Sequence, residues 1–169
     1  MSLQVQEDAF VITRTFDAPR DLVFEVFTQP EHLQQWFAPK GFTVPHCTVD
    51  LRVGGTFHYC MRSPEGNDYW ARGIFQEVAP PARIVYADSF ADAEGNAVSP
   101  SFYGMTESHP AETLVHISFD ARGDATIVTL RHELPESVVE RGSTQQGWLE
   151  MFERVEAVLL HARAERITT

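Results

Sequence analysis

Basic side chains, cysteine and long apolar runs are all scarce in this chain, and each scarcity removes a class of function. Lys and Arg number 13 against 24 Asp and Glu, a formal net charge of -11. That balance repels phosphate backbones and anionic headgroups, so neither nucleic acid nor a membrane is an expected partner. The longest apolar runs are only a few residues. A membrane span takes about 20 apolar residues and a signal-peptide core about 7–15, so the expectation is a soluble, cytoplasmic protein. The two cysteines, Cys47 and Cys60, are too few for a zinc site. His109, His116, His132 and His161 are scattered without metal-ligand spacing, and no metal or cofactor is expected. There is no Gly-x-Ser-x-Gly elbow, and Gly54-Gly55 precedes a strand rather than a helix. The common hydrolase, kinase and dinucleotide-binding patterns are therefore missing.

What the chain does have is one strong helical stretch near its end. Trp148, Met151, Phe152, Val155, Val158, Leu159 and Ala162 repeat at the spacing of a single helix face. Glu150, Glu153, Arg154, Glu156 and Arg163 occupy the other face, with Glu150 and Arg154 spaced as an i,i+4 pair. A helix of roughly 25 residues would be about 35–40 Å long and needs a broad apolar partner.

The preceding chain supplies one. Phe10 to Phe16 reads as a strand, and Pro19 and Pro30 open two short helices ending near Phe37. Alternating strands follow at about 42–51, 56–62, 69–78, 83–90, 113–119 and 126–133, divided by Gly/Pro turns. Gly73, in mid-strand, marks a bulge or a close backbone approach. The connection over 91–111 is longer than a hairpin needs, which suits a lid over one end of a site. Pro135-Glu136-Ser137 starts the closing helix. With 169 residues the chain fits one domain, expected over 9–165 behind a mobile tail at 1–8. The architecture is α+β: a curved antiparallel sheet wrapped around a long C-terminal helix, with two short helices after the first strand.

Specific stretches sharpen this reading. Ala18-Pro19-Arg20-Asp21-Leu22-Val23-Phe24, Pro30 through Pro39, Asp50-Leu51-Arg52-Val53-Gly54-Gly55 and Gly147-Trp148 resemble the START-like helix-grip superfamily. Within it they are most similar to the family of the C-terminal domain of the activator of the 90-kDa heat-shock protein's ATPase. The resemblance covers about 9–165 and implies a helix gripped by the sheet with a hydrophobic cavity between them. It does not imply one function, since the scaffold serves lipid and polyketide binders, cyclases and co-chaperones. The co-chaperone proper has a further N-terminal domain that engages the chaperone. No stretch here is expected to supply it, which argues against a chaperone activator.

The expected function is binding of a small hydrophobic or aromatic molecule in that cavity. Trp148, Phe152 and Val155 would form its helix wall, with Trp36, Tyr86 and Phe102 adding aromatic surface. His46, Tyr59, Trp70 and Arg72 would orient the ligand. A tight turn at Val53-Gly54 would pair residues summing to 107, setting Cys47 opposite Cys60 as neighbouring reduced thiols. The same register sets His46, Thr48 and Asp50 opposite Met61, Tyr59 and Phe57. Asp50 and Arg52 share a side of their strand and serve chiefly to brace the turn. The alternatives are a cyclase or hydrolase using His46 or Asp50 as base, and a protein module that engages a chaperone. A homodimer through an exposed edge strand is open as well.

Overall fold

The computed structural model describes residues 8–168. Apart from Asp8, the tail expected over 1–8 lies outside the described residues. Seven strands form one antiparallel sheet: β1 (Phe10–Phe16), β2 (Thr43–Val49), β3 (Thr56–Arg62), β4 (Asp68–Ala79), β5 (Arg83–Phe90), β6 (Thr113–Arg122) and β7 (Ala125–His132). Their order is β1-β7-β6-β5-β4-β3-β2. β2 to β7 thus pair in sequence order, and β1, set apart by the helical insert, closes the far edge against β7. The sheet curls into a half-barrel around α3 (Arg141–Thr168), while α1 (Arg20–Thr28) and α2 (Pro30–Trp36) fill one end. This is the helix-grip fold.

α3 buries the face its periodicity marks out, from Trp148 through Phe152 and Val155 to Ala162. Its 28 residues start later than expected. Residues 135–140 form turns instead, with Val138 N–H donating to Pro135 O and Glu140 tied to the 91–112 connection. The expected Glu150–Arg154 pair is replaced by something more useful to the fold. The Arg154 guanidinium donates to Ala38 O at 2.7 Å and Phe42 O at 3.2 Å, and Glu150 accepts from Lys40 N–H. Both side chains therefore pin the connection after α2 to the helix.

The β2–β3 register corrects the sequence expectation by one residue. Cys47 pairs with Tyr59, His46 with Cys60 and Thr48 with His58, a sum of 106 rather than 107. The reason lies in the turn. Asp50 N–H donates to Thr56 O, so five residues rather than a two-residue turn bridge the strands. A one-residue slip exchanges the two faces of a strand. Cys47 and Cys60 are consequently free thiols on opposite faces. Asp50 and Arg52 pair at 2.9 Å on the exposed turn, in the bracing role expected of them. At Gly55 a Cβ would lie 2.1 Å from Asp50 O, so the turn admits no side chain there.

Candidate functional site

Packing between α3 and the concave face of the sheet is uneven along the groove. At one end Phe27 is surrounded by Phe16, Trp36, Phe119 and Phe152, with ring centroids 4.7–6.3 Å away. These rings interlock edge to face and fill the space. At the other end a cavity of about 380 Å³ remains. Its floor is the inward row Tyr59, Ala71, Tyr86 and Asp88, and its roof is Gly147, Trp148 and Met151 of α3. Phe37, Pro39 and Phe42 close one side, where Phe37 meets Tyr59 at 4.9 Å and Trp148 at 5.6 Å.

The 91–112 connection makes the mouth. It first covers the convex face, where Arg72 donates to Gly95 O and His58 Nε2 meets Asp92 O at 3.0 Å. A short 3-10 turn at Pro100–Tyr103 then brings Tyr103 to the cavity. Its hydroxyl donates to Ala91 O at 2.6 Å and accepts from Trp70 N–H. Met105, His109 and Pro110 continue the lining. The Glu140 carboxylate accepts from Thr106 N–H at 2.7 Å and from its hydroxyl at 2.9 Å, while Ser108 Oγ accepts from Val139 N–H. The mouth is thus laced to the start of α3.

A polar band crosses the otherwise apolar floor, and the strand period explains it. Ile84, Tyr86 and Asp88 are successive inward positions of β5; Thr113, Val115 and Ile117 of β6; Val128, Leu130 and His132 of β7. Each of these inward rows carries a polar residue at the cavity, last in the row on β6 and β7 and followed by Phe90 on β5. Register sets Asp88 directly beside Thr113, and Val115 beside His132. Tyr59 donates to Asp88 Oδ1 at 3.0 Å. The Trp148 indole N–H donates to His132 Nδ1 at 3.2 Å. That bond assigns the ring proton to Nε2, which donates to Thr113 Oγ1 at 2.9 Å.

Burial sets the charge states. It pushes the Asp88 carboxyl up to about 7, against the opposing Tyr59 hydrogen bond. It lowers His132 to about 4, reinforced by His109, so the imidazole is neutral at pH 7. The Tyr59 and Tyr86 hydroxyls are held well above their ordinary range by burial and by Asp88. The floor of the site therefore presents the ionisable Asp88 carboxyl, the neutral Tyr59 and Tyr86 phenols and a neutral imidazole–indole pair.

Four of the residues expected from sequence line this cavity: Tyr59, Trp70, Tyr86 and Trp148. Trp70 borders it with its main chain, because its ring stacks on His58 at 4.9 Å and meets His46 at 5.2 Å on the convex face. His46 and Arg72 share that face, which corrects their assignment; the register slip is the cause for His46. His46 and Asp50 consequently cannot act together on a molecule in the cavity. Trp36, Phe152 and Val155 are fully buried in the filled end. The Trp36 indole is spent on Val26 O at 2.9 Å. Phe102 is exposed on the 3-10 turn beside Tyr103. The residues that sequence reasoning missed are Asp88, Thr113 and His132. Their signal was present: a polar residue on the inward phase of a strand whose other inward positions are large and apolar.

A family model described as "Activator of Hsp90 ATPase homolog 1-like protein" matches residues 17–159. The chain belongs to this family. Solved structures that resemble it include a protein from Nitrosomonas europaea at 25% identity and a TM-score of 0.77, covering 94% of this chain and 97% of that one. A protein from Arthrobacter aurescens has 22% identity and a TM-score of 0.78, with 93% and 88% covered. The AHSA1 protein from Silicibacter pomeroyi has 20% identity and a TM-score of 0.72, with 91% and 99% covered. At 22% and 20% identity the last two speak for the fold alone. No curated protein matches significantly. Family membership settles the START-like scaffold and leaves the chemistry to the cavity.

Proposed function

We propose that this protein binds a small, mainly apolar or aromatic molecule in the cavity under the first turns of α3. The observation that carries the reading is the cavity itself. A chain that fills one end of its groove with interlocked rings leaves about 380 Å³ open at the other, a size within the range of about 300–1,000 Å³ typical of ligand sites. Aromatic walls supply the driving force, worth roughly 25 cal/mol for each Å² of apolar surface removed from water. Tyr86 and the Asp88–Thr113–His132 band supply orientation. The later part of the 91–112 connection acts as the lid. Met105, His109 and Pro110 line the mouth, and residues 104–110 are tied to the start of α3 by the Glu140 and Ser108 side chains rather than by a sheet ladder.

Native mass spectrometry of freshly purified protein, followed by a denaturing run, tests this. A stoichiometric adduct released on denaturation is the expected result. It should be lost in Ala71→Phe, which adds a ring to the floor of the cavity. An adduct of equal occupancy in that variant would place the binding elsewhere and sink the reading. The expected enzyme alternative loses its named bases, because His46 lies on the convex face and Asp50 is paired on an exposed turn.

A further inference from the structure

Charge around the cavity is one-sided. Among the described residues no Lys or Arg lines it, whereas Asp88 and Glu140 do. Lys40 is the sole lysine of the chain. Glu140 is already engaged by Thr106 at the mouth. Asp88 is different: its one hydrogen bond among the described residues comes from Tyr59, on Oδ1. Among the described residues no Lys or Arg pairs with it, and its open side gives onto the cavity. A carboxylate taken out of water is normally paired with a cation or with several donors. Here the missing partner and the empty space coincide.

The rings around that space point the same way. Tyr59, Tyr69, Tyr86, Phe90, Tyr103 and Trp148 all border it. Aromatic faces attract ammonium groups, most strongly where water is excluded. An anionic ligand such as a fatty carboxylate would find Asp88 and Glu140 and, among the described residues, no Lys or Arg. A neutral ligand would leave the carboxylate unpaired.

Building on the cavity-binding reading, we infer that the ligand is an amine, its apolar body between Trp148 and the sheet and its ammonium group against Asp88. The amine supplies the countercharge that the fold omits, with Oδ2 as acceptor. A cation at that position favours the ionised carboxyl, as Arg does beside Asp. His132, Tyr59 and Tyr86 stay neutral and shape the site. His132 is locked between Trp148 and Thr113, and the Tyr86 hydroxyl makes no hydrogen bond among the described residues, leaving it free for a polar atom of the ligand.

The test uses three probes on one skeleton: naphthylethylamine, naphthylethanol and naphthylacetate, titrated by calorimetry at pH 8 and pH 6. The amine should bind at pH 8 about tenfold or more tightly than the alcohol, and the acid should be weakest. Because burial pushes Asp88 up to about 7, amine affinity should fall about tenfold from pH 8 to pH 6, with the alcohol unchanged. The other titratable groups facing the cavity are Tyr59 on β3, Tyr69 on β4, Tyr86 on β5, His132 on β7, Tyr103 and His109 in the connection, and Glu140 before α3. His109→Gln should therefore keep the pH profile, and Asp88→Asn should abolish both the profile and the preference for amine while still binding the alcohol. Equal affinity for amine and alcohol, tightest binding of the acid, or a preference that survives Asp88→Asn would overturn the inference and leave cavity binding intact. Loss of the profile in His109→Gln would overturn the role given to Asp88. If none of the probes binds, the cavity reading fails and the inference with it. The wild-type pH series stands even if Asp88→Asn does not fold.

Discussion

Gly73 in β4 and Gly147 in α3 answer a methyl group in opposite ways. A Cβ at Gly73 would lie 2.6 Å from Tyr86 Cδ2 and 3.2 Å from Cγ. The Tyr86 side chain occupies the space that a side chain at Gly73 would need. Gly73→Ala must displace a buried aromatic, so it should cost about 1–3 kcal/mol in chemical denaturation. At Gly147 the nearest atom to a Cβ is Pro39 Cβ at 3.8 Å, an ordinary contact. Gly147→Ala removes unfolded-state freedom from a helix interior and should stabilise by about 0.5–1 kcal/mol. The two variants should shift the denaturation midpoint in opposite directions. The difference separates a glycine that packing requires from one that only widens the cavity roof.

At the scale of elements, what could be read from sequence depended on whether a feature was local. The α3 face was legible because seven apolar positions fix a helix period, and the strands because their inward residues alternate. The β2–β3 register was not, since it turns on whether Asp50 N–H reaches Thr56 O across a five-residue turn, and Leu51 to Gly55 also suit a tighter one. That single residue carried His46 from the cavity to the convex face. The filled end of the groove was hidden as well, because Trp36, Phe152 and Val155 look like cavity wall until Phe27 and Phe119 are seen to occupy the space. The 91–112 connection read as long and breaker-rich; its tether to Glu140 joins residues 34 apart in sequence and has no local signature. Glu140→Ala removes both acceptor contacts to Thr106. Amide exchange across 104–110 should then accelerate about tenfold or more, since two hydrogen bonds to a carboxylate are lost. The strand amides of β5 and β6 should be unaffected. Unchanged exchange in the connection would mean that the lacing does not hold the mouth.

For the molecule as a whole, Asp88 and His132 impose opposite pH dependences on folding. The imidazole is lowered from 6.5 to about 4 in the folded state. Between those values the unfolded chain holds the extra proton, so this contribution is complete above about pH 6.5 and is lost as pH falls through about 4. Burial of His132 is nearly complete, and the shift corresponds to about 3 kcal/mol. The Asp88 carboxyl is raised from 3.8 to about 7. Here the folded state holds the extra proton, so its contribution is complete below about pH 3.8 and is lost as pH rises through about 7. Over pH 4 to 6.5 the two slopes oppose each other, and neither is visible alone in the wild-type profile. Single variants separate them. Relative to wild type, Asp88→Asn should grow more favourable from pH 4 to pH 8, because it removes a carboxyl whose ionisation weakens the fold. His132→Gln should lose its disadvantage as pH falls from 6.5 to 4, because it removes a group that must stay neutral to fold. Denaturation midpoints taken at half-unit steps across this range check both signs. Parallel profiles for wild type and Asp88→Asn would mean that Asp88 is already ionised in the empty cavity. Amine binding would then show no pH dependence between 6 and 8, so the stability profile and the ligand titrations must agree on the same carboxyl.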